Sequence, residues 1–249
     1  MRSILVCFLI SVYFVLPIRA ENYNARDVIK KMDELYRSKT SFSTLRMDIA
    51  TPHWKRSLEM DMWTKGMDHT FIRILSPRKE RNVATLRIKN EMWNFLPTAN
   101  KVIKIPPSMM MSSWMGSDFT NDDLVKESSM IEDYSFSFVN VENPNPELLY
   151  IKLVPKEDTA IVWNKIVIAI RKKDYLPVWE KFYDEDGELM RIMNFKDIKK
   201  FKNREIPAIM EIIPQNKKDN KTVITYIDAE FDIPLKDDVF TQRNLRSKE

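Results

Sequence analysis

Residues 41–51 read SFSTLRMDIAT, and the alternation of side chains in this stretch decides the fold class. The apolar Leu45 and Met47 are separated by Arg46, and Asp48 follows them. Successive side chains of an extended strand point to opposite faces, so a period of two predicts a strand with one apolar and one solvated face.

The same alternation recurs through most of the chain. Residues 56–65, RSLEMDMWTK, repeat it, and further short segments of this kind continue to YIDAEF at 226–231. Clusters of turn-forming residues, such as NPNP at 143–146 and DEDGE at 184–188, separate these segments. About a dozen closely spaced strands with no helix between them predict one antiparallel sheet or barrel, a mainly β (α+β) fold class.

One amphipathic helix is predicted ahead of the strands. Residues 24–38, NARDVIKKMDELYRS, place Val28, Ile29 and Met32 on a single face at helical spacing. Asn24 stands where it can cap the first turn of this helix.

The first twenty residues, MRSILVCFLISVYFVLPIRA, have the layout of a secretory signal peptide. Arg2 precedes a short apolar run, and the small Ala20 marks the expected cleavage site. The run is shorter than a comfortable membrane span, so an uncleaved anchor is the less favoured alternative. We therefore predict a signal peptide at 1–20, a periplasmic location, and a single domain at 21–249, since no linker or change of composition divides that part.

Composition excludes several classes of protein. Residues 1–20 contain two arginines and no acid, so their removal lowers the formal charge from +4 to +2, which gives no preference for nucleic acid. The one cysteine, Cys7, lies in the expected signal segment, so the mature chain cannot be a disulfide scaffold.

Catalytic motifs are not found in the sequence. The three glycines are isolated at 66, 116 and 187, which excludes both a nucleophile elbow and a phosphate-binding glycine loop. His53 and His69 are the two histidines, and neither has companions at zinc-ligand spacing. We expect a protein that is not an enzyme and that needs no cofactor and no metal.

The stretch MMMSSWMGSDFTNDDL at 109–124 joins apolar residues to acids. Its acids allow a Ca²⁺ or Mg²⁺ loop as one interpretation. A helix start explains them better, because Thr120 as N-cap places Asp123 at the third helical position of a capping box. Asp122 and Asp123 then lie in the first turn, where the helix dipole favours negative charge.

A family resemblance is carried by residues 91–124, EMWNFLPTANKVIKIPPSMMMSSWMGSDFTNDDL. This segment, with YLPVWEKFYDEDGELMR at 175–191 and DIPLKDDVFTQRNL at 232–245, resembles the outer-membrane lipoprotein-sorting proteins, the LolA/LolB-like periplasmic carriers. The resemblance implies a strongly bent, unclosed antiparallel β-barrel of about 11 strands, with an N-terminal helix and lid helices over an apolar cavity.

The resemblance also implies a function: a carrier that takes acyl chains of lipoproteins or other lipids across the periplasm. We expect this carrier to be a monomer. Its partners would be the acylated cargo, an inner-membrane ABC or RND-type transporter as donor, and an outer-membrane acceptor. Alternatives are an RseB-like sensor module that binds lipoproteins and, with less support, a lipid hydrolase. The family's lid-holding arginine has no match by motif, and Arg46 falls on the solvated face of its strand.

Methionine and tryptophan are frequent on the apolar positions, and Met-rich surfaces adapt to ligands of variable shape. Each such residue taken singly is equally well explained as core. The residues expected to line the cavity are Leu45, Met47, Met60, Met62, Trp93 and Phe95. The residues expected to form its lid or rim are Met109, Met110, Met111, Trp114 and Met115. The residues assigned to the family motif and the helix start are Gly116, Ser117, Asp118, Phe119 and Asp123.

Overall fold

The computed structural model of the 249-residue chain describes residues 23–36, 38–66, 68–126, 130–157, 163–202 and 204–247. The signal peptide predicted at 1–20 lies outside the described residues. Among those that are described, no helix is both long and apolar enough to span a bilayer.

Thirteen strands and four α-helices make up the described fold. The strands are β1 (Thr40–Ala50), β2 (Lys55–Lys65), β3 (His69–Ser76), β4 (Ala84–Ile88), β5 (Glu91–Leu96), β6 (Lys101–Lys104), β7 (Tyr134–Phe138), β8 (Leu148–Pro155), β9 (Lys165–Arg171), β10 (Pro177–Tyr183), β11 (Leu189–Phe201), β12 (Arg204–Pro214) and β13 (Lys221–Phe231). The helices are α1 (Ala25–Tyr36), α2 (Asn121–Lys126), α3 (Met130–Asp133) and α4 (Gln242–Arg246). Short 3-10 turns lie at Pro107–Met109, Trp114–Gly116 and Asp237–Phe240.

The strands form one antiparallel sheet in the order β6-β5-β4-β3-β2-β1-β13-β12-β11-β10-β9-β8-β7. β1 pairs with β13, which joins the two halves of the chain, and the edge strands β6 and β7 do not pair with each other. The sheet is therefore not closed, as the family resemblance implied. It has thirteen strands rather than about eleven, because every alternating segment of the sequence forms a strand of its own.

One face of the sheet, called the lid face here, is covered by α1 and by the segment between β6 and α2. On this face Leu45 lies beside Met60, and Met60 lies beside Ile74 on the next strand. α1 packs on the β7–β10 half of the same face through Val28 and Ile29. The helix begins as predicted, since the side chain of Asn24 accepts a hydrogen bond of 3.2 Å from the Asp27 N–H.

The opposite face is covered on β3–β5 by the C-terminal segment. Phe240 and Leu245 pack there against Phe71 and Phe95. Arg73, only 1% exposed, donates hydrogen bonds to the main-chain oxygens of Asn244 and Ser247. A cation at the carbonyl end of α4 satisfies acceptors that the helix itself leaves free. This contact fixes the end of the described chain to the sheet.

Candidate functional site

Residues 105–126, called the lid here, leave β6 and cross the lid face before α2 ends. Ile105, Trp114 and Phe119 of the lid are buried against the sheet, and Met110, Met115 and Leu124 are partly buried beside them. The lid therefore supplies one half of an apolar cluster whose other half is the sheet.

The sheet half of this cluster is rich in long apolar side chains. The buried members on the strands are Leu45, Met47, Ile49, Leu58, Met60, Ile72, Ile74, Met92, Ile212 and Ile224. Three of the six residues predicted to line a cavity, Leu45, Met47 and Met60, are in this set, and Met62 packs at its margin. The structure brings these four predicted residues together.

Trp93 and Phe95, also predicted to line the cavity, are placed on the opposite face. Phe95 is buried under the C-terminal segment, and Trp93 packs against the same cluster. Met92 takes the position on the lid face instead. A shift of one residue along a strand moves a side chain to the other face, and both alternating sets of β5 are apolar, so the sequence pattern does not distinguish them.

The methionines of the lid point in two directions, some toward the sheet and some toward solvent. Met110 packs inward on the cluster, whereas Met109 and Met111 are 46% and 44% exposed. Trp114 is buried, and its indole N–H donates a 3.1 Å hydrogen bond to the hydroxyl of Thr85 on β4. Trp114 is thus an anchor of the lid on the sheet rather than part of a rim.

The lid turns sharply at Met115 and Gly116, whose φ angles are 52° and 72°. Arg56 of β2 donates to the carbonyl of Met115 and forms a 3.7 Å ion pair with Glu80. A Cβ on Gly116 would lie 3.3 Å from the Arg56 guanidinium. Glycine therefore suits this position both by conformation and by space.

The residues after the bend tie the lid to the neighbouring strands. The buried Ser117 hydroxyl donates to the Trp114 carbonyl at 2.7 Å and accepts from the Phe119 N–H at 3.1 Å. The Thr222 hydroxyl of β13 donates to the Asp118 carboxylate at 2.8 Å and accepts from the Asp118 N–H at 3.0 Å. The hydrogen bonds of Asp118 therefore link the lid to β13.

The predicted capping box at the start of α2 is confirmed. The Thr120 hydroxyl accepts from the Asp123 N–H at 3.1 Å, and the Asp123 carboxylate accepts from the Thr120 N–H at 2.8 Å. Asp122 is buried rather than exposed, and its N–H donates to the Met110 carbonyl at 2.8 Å. Asp122 and Asp123 therefore form hydrogen bonds that hold the lid in its folded conformation.

Asp123 also makes a contact that the local pattern did not predict. Arg191 of β11 donates to both carboxylate oxygens of Asp123, at 2.8 and 2.6 Å. The Arg191 guanidinium lies 4.6 and 4.3 Å from the ring centroids of Trp163 and Phe182. Burial alone would raise the pKa of Asp123, but the charge and hydrogen bonds of Arg191 outweigh it and hold that pKa below its usual range.

Clustered metal ligands are absent from the described part of the chain. It contains no group of three His, Cys, Asp or Glu residues placed to hold a metal ion. His53 is exposed in the β1–β2 turn, and His69 packs edge-on at 5.4 Å from the Phe240 ring on the opposite face. The His69 ring is therefore on the side of the sheet away from the lid.

The lid, its anchors and the unclosed sheet can be compared with known proteins. A family model described as "-like: Uncharacterized protein" matches residues 66–247, well over half of the chain. The chain belongs to the family that this model describes. No curated protein matches it.

Solved structures share the LolA-like fold over nearly their whole length. A DUF1329 family protein from Desulfovibrio piger has 21% identity and a TM-score of 0.81, over 88% of this chain and 97% of that one. A domain from Vibrio parahaemolyticus described as an outer membrane lipoprotein-sorting protein has 20% identity and a TM-score of 0.78, over 90% and 98%. A LolA superfamily protein from Nitrosomonas europaea has 19% identity and a TM-score of 0.75, over 90% and 100%. At these identities the likeness shows the fold.

Some residues that hold the lid were not found from the sequence. Arg56, Arg191 and Thr222 hold the lid, yet they come from strands far from it in the chain. Arg191 is 68 residues from Asp123, and Thr222 is 104 residues from Asp118. The one available signal was an arginine on an otherwise apolar strand face, because a buried arginine needs a partner.

Part of the lid face beside the lid remains partly exposed and apolar. Met62, Met193, Met210 and Tyr226 pack at the margin of the lid cluster on β2, β11, β12 and β13. This group is called the apolar margin here. Met193 also touches the cluster under α1, so the margin joins the two covered parts of the face.

A small pocket of about 230 Å³ lies elsewhere, at the end of α1. It is lined by Glu34, Leu35, Asp174, Leu176, Arg204 and Glu205. Its volume is below the roughly 300 Å³ at which ligand pockets of ordinary size begin, and four of its six residues are charged. It does not suit an acyl chain.

Proposed function

We propose that this protein is an exported carrier that binds acyl chains of lipoproteins or other lipids between the lid and the sheet. The signal segment at 1–20 would direct it to the periplasm, and residues 21–249 would act as one lipid-binding domain. Transfer from an inner-membrane ABC or RND-type transporter to an outer-membrane acceptor is the corresponding route.

The observation that carries the proposal is the construction of the lid. Its apolar side chains cover a methionine-rich sheet face, and it is held there by a few discrete polar contacts from Arg56, Thr222 and Arg191. A segment attached in this way can be displaced as a unit. Its displacement would uncover Met47 and Met60, which are 0% and 1% exposed with the lid in place.

The energetics favour an acyl chain as the occupant of that surface. Each CH₂ group removed from water contributes about 0.8 kcal/mol, so a sixteen-carbon chain gains on the order of 10 kcal/mol on burial. This gain offsets part of the free energy of the apolar contacts that the lid gives up. Methionine side chains are flexible and polarizable, so they can pack against chains of different length and saturation.

The apolar margin is the part of the face that a chain can reach first. Leu45 lies beside Tyr226 on the neighbouring strand, and Met210 lies beside Ile224. Partly exposed apolar side chains on four strands therefore lead from solvent to the covered cluster. In this proposal Met62 and Met210 bind the chain before the lid moves, and the deeper methionines bind it afterwards.

The test compares two substitutions on adjacent residues of β12. Met210→Glu places a charge on the lid face, and Ile209→Glu places the same charge on the opposite face, at a position that is also half-buried. A fluorescent fatty acid analogue is titrated into each purified variant. We expect Met210→Glu to weaken binding at least about tenfold, because a carboxylate beside a buried chain is desolvated, and Ile209→Glu to bind like the wild type.

Equal affinity of the two variants would contradict the proposal, and so would the absence of binding to the wild type. The thermal unfolding of both variants is measured in parallel. A loss of binding counts only where the Met210→Glu protein unfolds within a few degrees of the Ile209→Glu protein.

A further inference from the structure

The turns at one end of the sheet form a basic surface next to the bend of the lid. Ala50 lies beside both Lys55 and Lys221, so the β1–β2 and β12–β13 turns are neighbours. The ion pair between Arg56 and Glu80 brings the β3–β4 turn to the same place. Arg56 also binds the lid carbonyl at Met115, so this end of the sheet is where the lid bends.

Basic side chains are concentrated on these turns and on the adjoining start of β6. All are exposed, and none has an ion-pair partner within the described ranges. The set, called the basic rim here, comprises Lys55, Arg78, Lys79, Arg81, Lys101, Lys217 and Lys218. The acids of the same turns are Glu80, which is paired with Arg56, and the exposed Asp219.

An exposed tryptophan lies in the middle of the basic rim. Trp54, in the β1–β2 turn, is 43% exposed, and the Arg56 guanidinium lies 5.5 Å from its ring centroid. The neighbouring β10–β11 turn at 184–188 carries four acids, so the basic character ends there. The positive charge is therefore confined to part of this end of the sheet and is not spread over the whole surface.

We propose that the basic rim docks the protein on an anionic lipid bilayer, with Trp54 entering the interface. Lysine and arginine side chains near a membrane surface are attracted by anionic headgroups, and each contributes about fivefold to binding. Tryptophan prefers the headgroup region, where its ring meets both apolar and polar surroundings. Several unpaired cations around one exposed indole match a bilayer better than they match the varied surface of an acidic protein.

Docking in this orientation would place the lid bend against the membrane. Met115 and Gly116 lie next to Arg56, which belongs to the same turn region as the rim. Contact of the Arg56–Glu80 pair with headgroup phosphates would compete for the guanidinium that holds the Met115 carbonyl. The part of the proposal that concerns lid opening rests on the proposed carrier function, whereas membrane docking does not.

The experiment is co-sedimentation with large unilamellar vesicles of phosphatidylcholine alone and of phosphatidylcholine mixed equally with phosphatidylglycerol. The rim variant carries Lys79→Glu, Lys217→Glu and Lys218→Glu. The matched control carries the same change of charge at three exposed lysines away from the rim. The control substitutions are Lys173→Glu, Lys200→Glu and Lys236→Glu.

We expect the wild type to bind the anionic vesicles, to bind pure phosphatidylcholine much more weakly, and to be released by high salt. The rim variant should bind the anionic vesicles on the order of 100-fold more weakly, whereas the control should stay within about threefold of the wild type. Trp54→Ser should reduce binding at physiological salt more than it does at low salt.

No binding of the wild type to anionic vesicles at low salt would overturn the proposal and leave an acidic protein as the partner to seek. Equal losses in the rim variant and the control would also overturn it, because binding would then follow net charge alone. The vesicles contain no free fatty acid, so this result is independent of the fatty acid titration that tests the carrier function.

Discussion

The ion pair between Asp123 and Arg191 allows the sharpest test of how the lid is held. Their side chains are 16% and 6% exposed, and two short hydrogen bonds join them. We consider Asp123→Ala, Arg191→Met and the double variant. Methionine keeps most of the volume between Trp163 and Phe182 without the charge.

The magnitudes follow from the burial of the pair. Removal of one partner from a buried ion pair destabilises by about 3–5 kcal/mol, because it leaves an uncompensated charge. Asp123→Ala also removes one half of the capping box, which contributes about 1 kcal/mol. When both charges are replaced together the uncompensated charge is gone, so the double variant should lose only about 1–2 kcal/mol.

The assay is urea unfolding of the four proteins, with amide hydrogen exchange of residues 107–124 to locate the effect. Asp123→Ala should increase exchange in the lid more than in β8 and β9, whose side chains pack under α1. Thr120→Ala is the control, because it removes the cap and keeps the ion pair. Additive losses in the double variant, or lid exchange unchanged in Asp123→Ala, would refute this account of the lid.

Three further predictions concern the same contacts. The ion pair holds the pKa of Asp123 below its usual range, so its stabilisation is complete above about pH 5 and is lost as pH falls through the lowered pKa; protection factors of the lid amides should be constant from neutral pH to about pH 5, and their acid loss should vanish in Asp123→Asn. Gly116→Ala should destabilise more than Gly187→Ala in thermal unfolding, since both have positive φ but only Gly116 has an atom 3.3 Å from the added carbon; equal losses would exclude the contact. Arg73→Met should release the last turn of α4 from the sheet, because Arg73 binds its carbonyl oxygens. The expected result is faster proteolysis of the segment that follows Val239, and an unchanged rate would contradict the anchoring role of Arg73.

Local patterns predicted what depends on neighbours in the chain. The sequence predicted that Leu45, Met47 and Ile49 lie on one face of β1, because the polar Arg46 and Asp48 alternate with them. The capping box was predictable because Thr120 and Asp123 are three residues apart and satisfy each other. In both cases the physical cause acts within a few residues.

Features that depend on distant strands were not predictable in the same way. β5 has apolar residues on both faces, so Trp93 and Phe95 were assigned to the cavity side although the C-terminal segment covers them. That segment forms a short helix on the opposite face, and the buried Arg73 that fixes it gave no signal beyond its presence in an apolar strand. The partners of Asp118 and Asp123 likewise come from strands more than sixty residues away.

The central claim is that an acyl chain binds on the lid face, and its methionines report on this directly. In methyl NMR of methionine-labelled protein titrated with palmitate, we predict the largest shifts at Met47, Met60 and Met62 and at Met110 of the lid. Met190, whose neighbour Arg191 points to the lid face, serves as the reference on the opposite side and should not move. Shifts confined to the exposed Met109 and Met111, or shifts as large at Met190 as at Met60, would contradict the account.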